Sequence, residues 1–168
     1  DFRYYKGLHK NVITDLFGGQ YYVDSYNRKS VLAENSVNGG VTSWVNQKLG
    51  VGDVIRRDYD GFVMYEGGFA QLEYNKDKVS AFVSGGLTNT SYWRKDRFYY
   101  SGDKQLSSKK HYLGGNVKAG LNYNLDDYNN VFFNTGFISR APIFDNTFIN
   151  SQSSHERNPD AKNEKVYS

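Results

Sequence analysis

The sequence predicts an all-β protein: an antiparallel, up-and-down, curved sheet of about six strands. Three observations carry this. Apolar and polar residues alternate over runs of roughly ten, the period of a strand with two unlike faces. Short Asp/Asn/Lys turns alternate with long polar segments between those runs. Aromatics make up 17% of the 168 residues, and Tyr supplies 15 of them. Its apolar ring and wet hydroxyl suit a boundary between water and an apolar phase.

The elements follow in order. "DFRYYKG" (1–7) reads as a first strand. Residues 10–60 form the longest polar segment, with small strands expected at 41–46 and 53–58. In the strand 61–75, Ala70, Leu72 and Tyr74 share one face, and Gln71 and Glu73 the other. "NKDK" (75–78) is a tight polar turn. The strand 78–100 puts Val79, Ala81, Val83 and Leu87 opposite Ser80, Ser84 and Thr88, with Phe82 as the exception. After the polar segment 101–110, the strand 111–125 has the clearest alternation. Leu113, Val117, Ala119, Leu121 and Tyr123 oppose Asn116, Lys118, Asn122 and Asn124. "DDYNN" is the next turn. The strand 129–140 carries Val131, Phe133 and Phe137 on one face and Asn134 on the other. A polar loop covers 141–163, and 164–168 begins another strand.

Composition narrows the function classes. No cysteine is present, which excludes disulfides and zinc–thiolate sites. A net charge of +3, with Lys and Arg scattered, gives no nucleic-acid footprint. No apolar run is long enough for a transmembrane helix.

Short turns at one end and long loops at the other fit a transmembrane β-barrel, with the apolar face toward lipid and the polar face toward the lumen. Alternation alone fits a soluble lipocalin-like barrel equally well, with the faces reversed. A passive porin is a further alternative. Six strands do not close a membrane barrel, since the smallest bacterial ones have about 8. The sequence begins at Asp1 without a start Met and ends in "NEKVYS". The expectation is one partial β-barrel domain over 1–168, a piece of a larger protein.

The late segments carry a resemblance. "GFISRAPIFDNTFIN" followed by "NPDAKNEKVYS" resembles the late-barrel region of TonB-dependent outer-membrane receptors, in the version found in Bacteroidota. The matching positions are Arg140, Ala141 and Pro142, then Asn158, Pro159, Asp160 and Glu164. Ala161 stands where the family usually has Leu, and Asn163 where Pro is common. "DFRYYKGLH" and "TDLFGGQYYVD" are similar to the same group. The resemblance covers most of the chain and rests on the order and spacing of its elements. It implies a 22-stranded barrel with an N-terminal plug, energised through TonB, that imports a scarce, bulky nutrient across the outer membrane. The chain would supply barrel wall and outer loops. Its implied partners are outer-membrane lipid and lipopolysaccharide, the TonB complex through the plug, and an extracellular nutrient. No cofactor is implied.

Candidate sites are few. Tyr92, Trp93, Arg94, Arg97 and Tyr99, with Phe98 and Tyr100, crowd the loop end of a strand. They read as an outer aromatic girdle with loop packing, or as ligand contacts; the cations suit an anionic ligand or lipopolysaccharide phosphates. Tyr74, Tyr123 and Phe133 suit the girdle at the turn end. Arg140 reads as an orienting ion pair, and Pro142 as the end of the ladder, because it has no N–H to donate. His9, His111 and His155 have no neighbour at a metal-ligand spacing. "RRDYDGFVMYE" fails the EF-hand template, which would put Arg56 at position 1 and Gly67 at position 12. Asp126-Asp127 is a turn pair. No nucleophile, base and orienting acid are grouped, so no enzyme is expected.

Overall fold

The computed structural model describes residues 1–21 and 48–168. The small strand expected at 41–46 lies outside them. Six strands form one antiparallel sheet in sequence order: β1 (Phe2–Val12), β2 (Val54–Lys76), β3 (Val79–Asp96), β4 (Lys110–Asn124), β5 (Asn130–Arg140) and β6 (Glu164–Tyr167). The sheet is up-and-down, as the sequence predicts, and it is open: β1 and β6 do not pair with each other.

The turns at one end are built from side chains. β2 and β3 are joined by Asp77 and Lys78, with Asp77 at φ 51°, a conformation Asp tolerates better than most residues. Between β4 and β5, Asp126 Oδ1 accepts from the backbone N–H groups of Tyr128 (2.8 Å) and Asn129 (2.9 Å). The Asn129 side-chain amide, together with those backbone donors, holds the Asp126 carboxyl below its ordinary pKa.

Register sorts the side chains into two faces. Directly paired residues share a face, and Leu72↔Val83↔Ala119 and Ala81↔Leu121↔Phe133 run across neighbouring strands. This apolar face is uncovered. Leu87 is 79% exposed, Val117 54%, Leu121 49% and Phe133 64%. A closed soluble barrel would bury these residues. The opposite, polar face carries Gln71, Glu73, Ser80, Asn122 and Asn134 around a shallow hollow of about 540 Å³. Phe82, the exception to the alternation, also faces this side and lies across Gly120, where any Cβ would collide with its ring.

Three strand limits differ from expectation. The segment 53–58 is not a separate strand but the start of β2, and β1 runs on to Val12 to pair with it. A β-bulge separates them: Lys10 pairs with Asp58 and Asn11 with Ile55, leaving Arg56 and Arg57 as the insertion. Arg56 sits at φ 64°. The bulge breaks the period of two, so alternation could not reveal this strand. β3 stops at Asp96, short of residue 100. There Oδ1 of Asp96 accepts from the backbone N–H groups of Phe98 and Tyr99, both at 2.8 Å, and turns the chain.

Candidate functional site at the loop end

The buried core lies at the loop end, on the polar face. Tyr59, Tyr92, Phe98, Tyr112 and Phe148 are all enclosed there. The covering element is the loop 141–163, which folds back over the ends of β2, β3 and β4. A 3₁₀ turn at Asp145–Thr147 directs Phe144 and Phe148 into the sheet. Phe144 fits against Gly61, where a Cβ would come within 3.1 Å of its ring. Phe148 is fully enclosed, and burying such a ring contributes about 1.5–3 kcal/mol.

Arg94 holds this loop. It is fully enclosed, with Tyr59 4.2 Å beneath its guanidinium. Nη2 pairs with Asp96 Oδ2 at 2.5 Å. Nη1 faces three loop carbonyl oxygens, those of Ser151, Ser154 (3.0 Å) and Asn150 (3.5 Å). A guanidinium presents five donors in a fixed fork, which suits this task better than an ammonium.

His155 and Arg157 form a second clasp, to the segment 97–109. The His155 ring stacks on Tyr100 at 3.8 Å, and its Nε2 donates toward the carbonyls of Lys104 and Gln105, both at 3.1 Å. The Tyr100 hydroxyl accepts from the His155 backbone N–H at 2.9 Å. Burial, with Arg94 and Arg157 nearby, pushes the imidazole pKa down to about 4. The ring is therefore neutral at pH 7. Arg157 donates to the Ser108 carbonyl and lies 4.4 Å over the Phe148 ring.

The five residues expected at a ligand site do not converge. Tyr92 and Arg94 lie beneath the loop, and the Tyr92 hydroxyl donates to the Pro142 carbonyl at 2.8 Å. Trp93 points to the other face and stacks on Phe62 at 5.2 Å. Arg97 reaches Asp58 (2.7 Å) and Asp60 (2.8 Å). Those carboxylates raise its pKa above an ordinary arginine's, Asp60 contributing most. Tyr99 borders a hollow of about 460 Å³ with Arg56, Asn150 and Gln152.

Arg140 Nε donates to Glu164 Oε2 at 2.6 Å, joining β5 to β6 where the loop leaves and returns. Asn158 ties the loop to itself: its N–H donates to the Thr147 carbonyl at 3.0 Å, its Nδ2 to the Asn146 carbonyl at 3.1 Å, and Oδ1 accepts from Asp160 N–H. Pro159 follows in this turn. Asn163 Nδ2 donates to the Leu113 carbonyl at 2.6 Å.

Sequence reasoning missed one cleft. Tyr5, His9, Val63, Ile143, Phe144 and Asp145 line about 280 Å³ between β1 and the start of the loop. His9 stacks on Tyr59 at 4.7 Å. The odd-numbered Tyr5 and His9 of "DFRYYKGLH" were a signal for a shared face, but the loop that completes the cleft is distant in sequence. Among the described residues, no three His, Cys, Asp or Glu side chains come together to hold a metal. No family model, curated protein or solved structure matches this chain.

Proposed function

We propose that this chain is part of the wall of a TonB-dependent outer-membrane receptor, supplying six neighbouring barrel strands and outer loops for the energised uptake of a bulky nutrient. What supports the reading most is the exposed apolar face. Leu72, Val83, Leu87, Val117, Leu121 and Phe133 make a continuous sheet surface with no protein against it among the described residues. Such a surface suits lipid, while the amide-rich opposite face suits a wet lumen. Short turns at one end and a folded 23-residue loop (141–163) at the other agree with a periplasmic and an outer side. The open edges of β1 and β6 call for further strands, because unpaired N–H and C=O groups are not tolerated in hydrocarbon.

In this reading the loop 141–163 narrows the outer mouth. The cleft of Tyr5, His9, Phe144 and Asp145 and the hollow beside Tyr99 open toward the nutrient. Lipid and lipopolysaccharide surround the apolar face, and the TonB complex acts through a plug. The test is transport in the native host. The full-length protein is expected in the outer-membrane fraction, and uptake of its nutrient is expected to stop when TonB is deleted. Uptake that survives the deletion makes it a passive porin, and recovery in a soluble fraction refutes both membrane readings.

A further inference from the structure

Where the apolar face meets the loop end, it ends in a ledge. Phe62 and Trp93 stack nearly parallel, 6° apart at 5.2 Å, and Tyr4 leans on both. Lys6 Nζ lies 5.8 Å from the Phe62 ring and Lys109 Nζ 4.3 Å from the Trp93 ring. Lys95, one pair further along β3, shares this face. Five cations gather here (Lys6, Lys10, Lys95, Arg97 and Lys109), and the carboxylates paired with them are Asp58 and Asp60. Five minus two leaves a surplus of three. Lys95 and Lys109 make no ion pair among the described residues.

We propose that this ledge binds the phosphate of a membrane lipid headgroup, with Lys95, Lys109 and Lys6 around the phosphate and the Phe62–Trp93 stack beneath the glycerol or sugar. The inference rests on the membrane reading above and adds a site to it. Height supports the assignment. Val79, opposite Tyr123 at the turn end, is 14 positions before Trp93 on β3. At about 3.4 Å per residue and a tilt of about 45°, that is roughly 34 Å along the membrane normal. The hydrocarbon core is about 30 Å thick and the bilayer with headgroups about 40–45 Å. Trp93 then lies in the interface, and the ammonium groups beside it lie at phosphate depth. Between Leu87 and the ledge the same face already turns polar, where Asn89 Nδ2 donates to Glu66 Oε2 at 3.0 Å. Aromatic rings prefer this zone, and lysines keep their stems on apolar surface while the charge stays wet.

The experiment uses Trp93 as its own reporter. In the full-length protein every tryptophan other than Trp93, Trp44 among them, is replaced by Phe. That protein is placed in phosphatidylcholine nanodiscs containing either brominated phosphatidylcholine or brominated phosphatidic acid at equal mole fraction. Quenching by both confirms that Trp93 faces lipid. The headgroup site predicts at least about fivefold enrichment of the phosphate monoester near Trp93, since each lysine at the surface favours anionic lipid by about that factor. Lys95→Gln with Lys109→Gln is expected to abolish the preference, and Lys118→Gln, on the polar face, to keep it. Quenching without preference overturns the headgroup site and leaves the membrane reading intact. Absence of quenching by either lipid removes both. A preference that millimolar inorganic phosphate erases makes the ledge a free-anion site and overturns the lipid assignment.

Discussion

Replacing Arg94 with Met is expected to detach the loop 141–163 without unfolding the sheet. The side chain is fully enclosed and serves four acceptors, the Asp96 carboxylate and the carbonyls of Asn150, Ser151 and Ser154. Met keeps much of the volume and removes every donor. Asp96, itself at 0% exposure, then keeps only the backbone N–H groups of Phe98 and Tyr99. Removing one partner of a buried ion pair costs about 3–5 kcal/mol. Lifting the loop lets water reach the carboxylate and the carbonyls, so the loss falls on local opening. At about 3 kcal/mol, amide exchange in the loop rises roughly 100-fold. Hydrogen exchange read by mass spectrometry over 141–163 measures this, with 112–124 as the internal reference. Ile149 and Asn158 are informative amides, bonded to the carbonyls of Glu156 and Thr147. Adding Asp96→Asn removes the stranded charge while keeping an acceptor for Phe98 and Tyr99, and is expected to restore part of the protection. Unchanged exchange in the Arg94→Met chain would refute the assignment of Arg94 as the loop's anchor.

The same loop is expected to loosen in acid. His155 has a folded pKa of about 4, below the ordinary value near 6.5, so the opened loop binds a proton first. The protection is complete above about pH 6.5 and declines as pH falls through 4. The ring is partly exposed, so the loss is roughly 1–2 kcal/mol rather than the full linkage value. Loop exchange corrected for intrinsic rates should show this slope, and His155→Gln should flatten it. A Cβ at Gly114 would come within 2.5 Å of the Ser139 carbonyl oxygen, and one at Gly115 within 2.5 Å of the Gly86 carbonyl oxygen. Both obstacles are backbone, so Gly114→Ala and Gly115→Ala should each destabilise the sheet by about 1–3 kcal/mol in denaturant titration; wild-type midpoints would refute the close approach. Leu121→Arg in the full-length protein should weaken membrane insertion by about 2–4 kcal/mol, measured by partitioning into liposomes. Equal insertion would count against lipid at that face.

The sheet was legible because its signal is local. Leu113 to Tyr123 alternates with Gly115 as the one gap in its apolar stripe, and Asp126 announces its turn by its side-chain chemistry. The limits of β1, β2 and β3 were not legible, and each has a physical cause. The bulge at Arg56 and Arg57 resets the period within β2. At the loop end, Leu8 and Lys10 pair with Asp60 and Asp58, so ladder pairing continues where the apolar stripe has stopped. Asp96 ends β3 by capping two amides, an event with no hydrophobic pattern.

The candidate residues were harder to read for a related reason. In a strand, adjacent residues face opposite ways, so a crowd such as Tyr92-Trp93-Arg94 cannot be one surface. Tyr92 and Arg94 support a loop that begins about fifty residues later, and Trp93 joins Phe62 and Tyr4 on the other side. Spacing could have divided them, but only the fold of 141–163 decides which half is enclosed. That division gives the two faces different requirements at the same height. On the polar face the aromatic rings are covered by the loop and need no other partner. On the apolar face the Phe62–Trp93 ledge, with Lys109 exposed above it, has no covering segment among the described residues. An aromatic shelf with surplus cations is stable at a membrane surface, where rings and ammonium groups each find their preferred depth.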